Sequence, residues 1–231
     1  MKSTRVAYTG VVLLLILISS GFLQASTDFN KLRTLAAERY GERAKNTISD
    51  LEAQLNEVRG SSELDKLKRV NLFFNDRIKR FDDDMNIWGQ SDYWATPLES
   101  LGKEAGDCED YSIAKYIFLR ELGIPNEKLR LTYVRAKIGG PNSRISQAHM
   151  ILSYYATPNA EPLILDNLIS DIRPASRRMD LTPIFSFNSE GLWTGTSTTP
   201  SSDSLSHLSR WRNVLARIQS DGIELDQGKG I

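Results

Sequence analysis

Apolar positions recur every three or four residues through the first third of the chain. Leu32, Leu35 and Ala36 form one stripe within Phe29 to Arg39, and Leu51, Leu55 and Val58 form another within Ile48 to Val58. A third stripe follows Ser62, with Asp65 at the capping-box position, and runs through Leu64, Leu67, Val70, Phe74 and Ile78. This period predicts three amphipathic helices packing a core. Arg80 to Gly106 breaks the pattern: it is polar, rich in Asp, Trp and Gly, and contains Thr96-Pro97, which resists helix, so it reads as a long loop. A further helix starts around Asp107 to Glu109, buries Ile113, Ala114, Tyr116, Ile117 and Leu119, and is stopped by Gly123 and Pro125.

Beyond this point the period changes to two. Leu129 to Lys137 alternates, with Leu129, Leu131, Tyr133 and Arg135 on one side; Gln147 to Tyr155 alternates again, and Leu163-Ile164-Leu165 runs into Asp166-Asn167. Turn residues at 139–142 and 157–159 join these strands as antiparallel hairpins. Residues 189–206 are rich in Ser, Thr and Gly and read as mobile, His207 to Ile218 as a short terminal helix, and 222–231 as frayed. Helices first and hairpins afterwards predict an α+β fold, an N-terminal helical lobe packed on an antiparallel sheet.

Residues 1–25 read as an export signal. Lys2 and Arg5 precede the unbroken apolar run Val11 to Ile18, and small residues lead to a cleavage point after Ala25. The alternative is an uncleaved inner-membrane anchor, since Tyr8 to Leu23 approaches spanning length. Cleavage leaves one domain, 26–231, with 27 basic against 29 acidic residues. A net charge of −2 gives no long-range attraction for nucleic acid or anionic lipid. The expected location is the periplasm.

An exported chain normally pairs or loses its thiols, yet Cys108 is the sole cysteine. It lies at a helix start, where the dipole favours thiolate. Of the two histidines, His207 falls in the Ser- and Thr-rich region, whereas His149 lies in a strand pattern and is the better general base. Asp166 ends an apolar run and could hold the imidazole tautomer, a role Asn167 could also fill. Each residue also has a structural explanation: a small core thiol, a satisfied strand histidine, and an Asp opening a turn.

Asp107, Glu109 and Asp110 flank the thiol and oppose its ionisation. They either cap the helix or hold a divalent cation, for which three hard oxygen donors suit calcium. Asp82-Asp83-Asp84 is not an EF-hand, because Ile87 and Tyr93 stand where Gly and Glu are required, and it reads as a solvated turn.

Several stretches together resemble the bacterial transglutaminase-like cysteine proteinases of the LapG type: Trp94 to Leu98, Gly106 to Tyr116, His149-Met150, Leu165 to Leu168 and Pro174 to Arg177, with Ser186 to Asn188 and Gly191 to Trp193. The resemblance covers roughly Asp28 to Trp211. It implies a papain/transglutaminase-like fold and a triad of Cys108, His149 and Asp166, with calcium held by Asp107, Glu109 and Asp110. It further implies a large repeat-containing adhesin as substrate, cut in its N-terminal region to disperse biofilm, and an inner-membrane cyclic di-GMP receptor as partner. The segment Ile138 to Arg144 departs from the family as an expanded hairpin. Rival readings are a transglutaminase or cell-wall amidase with the same triad, and a binding module with an inactive one.

Overall fold

The computed structural model describes residues 26–201 and 209–225. Residues 1–25, expected to be an export signal, His207 and the tail 226–231 lie outside the described residues. The described chain opens with β1 (Ser26–Thr27), followed by the helices α1 (Phe29–Tyr40), α2 (Glu42–Val58) and α3 (Glu63–Arg77). Short elements come next: β2 (Arg80–Phe81), α4 (Asp84–Trp88), α5 (Pro97–Lys103) and β3 (Ala105–Gly106). They lead into α6 (Cys108–Glu121) and the long hairpin of β4 (Leu129–Lys137) and β5 (Ser146–Tyr154). Then come β6 (Leu163–Leu165), β7 (Arg173–Pro174), β8 (Leu181–Phe187), β9 (Leu192–Thr194), α7 (Ser209–Asp221) and β10 (Ile223–Glu224).

The fold is α+β. Six strands form an antiparallel sheet in the order β7-β6-β5-β4-β8-β9, with β4 paired to β5 from Leu129↔Tyr154 to Lys137↔Ser146. Helix α6 packs against β5 on one side and α3 on the other. Ile113, Ala114, Tyr116, Ile117, Phe118 and Leu119 are each at most 1 % exposed, and α6 is buried nearly all round, Asp110, Ser112, Lys115 and Glu121 included. Burying each large apolar side chain contributes about 1.5–3 kcal/mol, which makes this helix the centre of the core. Leu131, Met150, Leu152 and Leu165 meet it from the sheet.

The far face of the sheet carries a second cluster of Val134, Ala136, Ile151 and Ile164. That cover explains why Leu129 to Val134 does not show a wet face: Arg130 and Thr132 are buried along with Leu129 and Leu131. The first and last described segments meet where β1 pairs with β10 and the Asp28 N–H donates to the Gly222 carbonyl at 2.9 Å. Among the described residues, no helix is long and apolar enough to cross a membrane.

The segment expected as a loop, Arg80 to Gly106, contains two helices. Pro97 does not interrupt α5 but occupies its first turn, where no intrahelical donor is lost, and Thr96 caps it in a reciprocal capping box with Glu99. The Ser- and Thr-rich stretch expected as mobile contains β9, paired with the end of β8 from Phe185↔Thr194 to Phe187↔Leu192.

Candidate active site

Cys108 is the first residue of α6, and the sequence before it makes that start rigid. The Asp107 carboxylate caps the helix by accepting from the Glu109 N–H at 3.2 Å, while Asp110 Oδ2 accepts from the Asp107 N–H at 3.3 Å. Gly106 permits this closeness, since a Cβ there would lie 2.9 Å from Asp110 Oδ2. The thiol donates to Glu109 Oε2 at 2.8 Å. Burial pushes the Cys108 thiol well above its ordinary pKa, and the charges of Glu109 and Asp107 add to the rise; the Met150 N–H opposes them.

His149 and Asp166 are brought together. His149 Nε2 and Asp166 Oδ1 lie 2.8 Å apart, and both side chains are fully buried. Imidazole Nδ1 is also buried and has no partner. Asp166 Oδ2 accepts from Arg178 Nη2 at 2.7 Å, the Leu168 N–H donates to Oδ1 at 3.1 Å, and Asn75 Nδ2 holds the Asp166 carbonyl at 2.8 Å. Burial alone would push the Asp166 carboxyl up, but the bonds from His149, Arg178 and Leu168 hold it well below the usual carboxylate range. Asn167, the alternative orienter, makes no bond to the imidazole; its Oδ1 is buried and unpartnered. No hydrogen bond joins the sulfur to His149. His149 immediately precedes Met150 on β5, and the Met150 N–H favours the Cys108 thiolate. Arg178 and Asn75 lacked any periodic or motif signal, because each acts through a fold-dependent contact.

The acidic cluster differs from the expected one. Asp84, Asp107 and Asp110 offer carboxylate oxygens all within 4.8 Å of one another. Glu109 is turned to the thiol and to the Tyr133 hydroxyl, which donates to Oε1 at 3.4 Å. Asp84 corrects the reading of a solvated turn: it is 7 % exposed, because α4 folds its first turn onto the start of α6. Its Oδ2 accepts from the Tyr93 N–H at 2.6 Å, and its Oδ1 is buried without a partner. The Ala95 N–H donates to Asp110 Oδ1 at 2.7 Å. Burial, with the neighbouring Glu109, Asp110 and Asp84 charges, raises the Asp107 carboxyl to about 10. Burial also raises Asp110 to about 8, despite the Ala95 N–H, and Asp84 rises for the same first cause. Two buried carboxylates, a half-buried third and an orphaned oxygen fit a hard divalent cation and could hold one, with carbonyls and water completing the shell.

A family model described as bacterial transglutaminase-like cysteine proteinase matches residues 37–180. Among solved structures, the chain is similar to Legionella pneumophila LapG at 34 % identity, covering 82 % of this chain and 97 % of that one with a TM-score of 0.68. EGTA-treated Legionella pneumophila LapG matches at 35 % identity over 82 % and 97 % of the two chains, TM-score 0.70. The calcium-bound form matches at 37 % identity over 82 % and 98 %, TM-score 0.68. No curated protein matches the chain. A lone sulfur at a helix start, a buried imidazole–carboxylate pair one strand away and an acidic cluster beside the sulfur therefore sit on a backbone shared with LapG, and the chain belongs to the bacterial transglutaminase-like cysteine proteinase family.

Proposed function

We propose that this cysteine proteinase is a calcium-dependent periplasmic endopeptidase that uses Cys108, His149 and Asp166 to cut the N-terminal region of a large cell-surface adhesin, releasing it and dispersing biofilm. One observation carries the catalytic assignment: His149 is buried against Asp166 through Nε2, with Nδ1 unpartnered, next to Met150, whose N–H favours the Cys108 thiolate. In this reading the thiol turns from Glu109 to His149 and gives its proton to Nδ1. The sulfur then attacks the scissile carbonyl, and the imidazolium returns a proton to the leaving amine. Asp166 fixes the tautomer and stabilises the imidazolium, while Arg178 keeps Asp166 ionised. The Cys108 N–H, at the first position of α6, is free of an intrahelical acceptor and suits a developing oxyanion.

Asp84, Asp107 and Asp110 would hold calcium, whose charge lowers the cost of keeping these carboxylates and a thiolate ionised together. The calcium-bound and EGTA-treated LapG structures support that choice of cation. Adhesin cleavage, periplasmic location through the 1–25 segment, and sequestration by an inner-membrane cyclic di-GMP receptor rest on the family resemblance. The test is incubation of the protein with an adhesin N-terminal fragment, with and without chelator. Cleavage that needs calcium and vanishes in Cys108→Ala is expected. Cross-linking to an added amine without cleavage, or cleavage by Cys108→Ala, would overturn the reading.

A further inference from the structure

Strand β4 continues past the sulfur on the face that carries Tyr133, which packs on the main core cluster and donates its hydroxyl to Glu109, beside Cys108. Arg135 and Lys137 follow at the second and fourth positions after Tyr133, so both stand on that same face, about 7 and 14 Å further along. The alternate positions, Val134 and Ala136, turn to the cluster on the far face. Across the strands Arg135 is flanked by Ala148 and Thr182, and Lys137 by Ser146. All three neighbours are exposed and uncharged. Arg144, in the turn that leads into β5, adds a third exposed cation.

These cations lack the partners that arginine finds elsewhere in the fold. Arg33, Arg39, Arg59, Arg77 and Arg217 each meet a carboxylate. Arg135 and Arg144 meet none among the described residues, and Lys137 Nζ donates to a neutral acceptor, the Pro141 carbonyl, at 2.7 Å. Asp180 is close, since its carbonyl accepts from the Lys137 N–H at 2.8 Å, but its carboxylate is taken by Arg178 Nε and Nη2. Towards the sulfur, Asp92 pairs with Arg210 and Glu109 holds the thiol proton. The exposed floor leading away from Cys108 is therefore basic, in a chain whose formal net charge is zero. Such a face selects an acidic partner by charge complementarity. We propose that Arg135, Lys137 and Arg144 form a subsite for acidic side chains of the substrate, about two to four residues from the scissile bond of an extended chain. This rests on the endopeptidase reading and gives the expanded hairpin 138–144 a role in substrate choice.

The experiment uses the adhesin N-terminal fragment, its cut mapped by mass spectrometry, and a second fragment in which every Asp and Glu within about four residues of the cut becomes Asn or Gln. At least one acidic residue is expected in that window. Neutralising it, or combining Arg135→Gln, Lys137→Gln and Arg144→Gln, should raise KM about tenfold with kcat little changed. Each single variant should cost about two- to fivefold, the worth of an exposed ion pair. Triple variant and neutral fragment together should do no worse than either alone. Lys68→Gln removes an exposed cation from α3 instead and should change nothing. Isothermal titration of Cys108→Ala protein with the intact fragment reads docking without cleavage; affinity should fall about tenfold in the triple variant and again fall in about 0.5 M salt. A fragment that binds in this charge-dependent way but is never cut would sink the endopeptidase reading and leave the subsite standing. Binding indifferent to the triple variant, a cut with no acidic residue in the window, or an equal loss in Lys68→Gln would each overturn the subsite.

Discussion

Arg178 and His149 hold the two oxygens of a single carboxylate: Asp166 Oδ2 receives the guanidinium at 2.7 Å, and Oδ1 lies 2.8 Å from the imidazole. All three side chains are at most 1 % exposed, so the arrangement is shielded from solvent screening. Asp166→Asn keeps the shape and loses the charge. We expect kcat to fall by about 10⁴, as when a triad carboxylate becomes an amide, with the fold retained by circular dichroism. The depressed Asp166 pKa also gives a sign. Its stabilising contribution is complete above the unfolded value near 4 and is lost as pH falls towards the folded value. Denaturation curves of the parent should therefore weaken below about pH 4 more steeply than those of Asp166→Asn.

Glu109 holds the thiol proton in place. Glu109→Gln removes one of the charges that raise the Cys108 pKa, second in effect to burial. Alkylation by iodoacetamide at neutral pH should speed up in calcium-free protein, because more of the sulfur is thiolate. An unchanged rate profile would show that Glu109 does not govern the sulfur.

Calcium affinity separates the observed cluster from the expected one. Asp84→Asn should weaken calcium binding by about tenfold or more, since ligand charge tunes these sites, whereas Glu109→Gln should change it little. Isothermal titration of both variants checks this.

Lys115 is 1 % exposed inside α6, and burial lowers its pKa to about 7, partly opposed by the Asp166 charge. Between that value and the unfolded one near 10.5, the unfolded chain binds a proton that the folded chain does not, so this residue's penalty shrinks as pH rises. Lys115→Met should stabilise the protein by roughly 1–4 kcal/mol near pH 7, with the gain vanishing towards pH 10. Urea denaturation across that range measures it.

Periodic elements were legible in the chain because burial on one face leaves a sequence trace. Helices α1, α3 and α6 and strands β4 to β6 lie where the pattern put them, within a residue or two at their ends. Pro97 reads as a helix breaker but serves as a helix starter. Strand β8 was not anticipated, and it carries a proline, Pro183, in its interior. In the structure Pro183 falls where the β4–β8 register slips between Tyr133 and Val134. Asp84 was invisible for another reason. Its role depends on α4 folding back to α6, a contact between segments more than twenty residues apart that no local spacing encodes.

The helix that begins with the sulfur is also the spine of the hydrophobic interior, wedged between α3 and the sheet. Under the proposed mechanism, nucleophile placement and thermal resistance are thus one property rather than two: a void carved at Ile117 or Phe118 would loosen the helix that carries the sulfur, so repacking that spine should alter turnover.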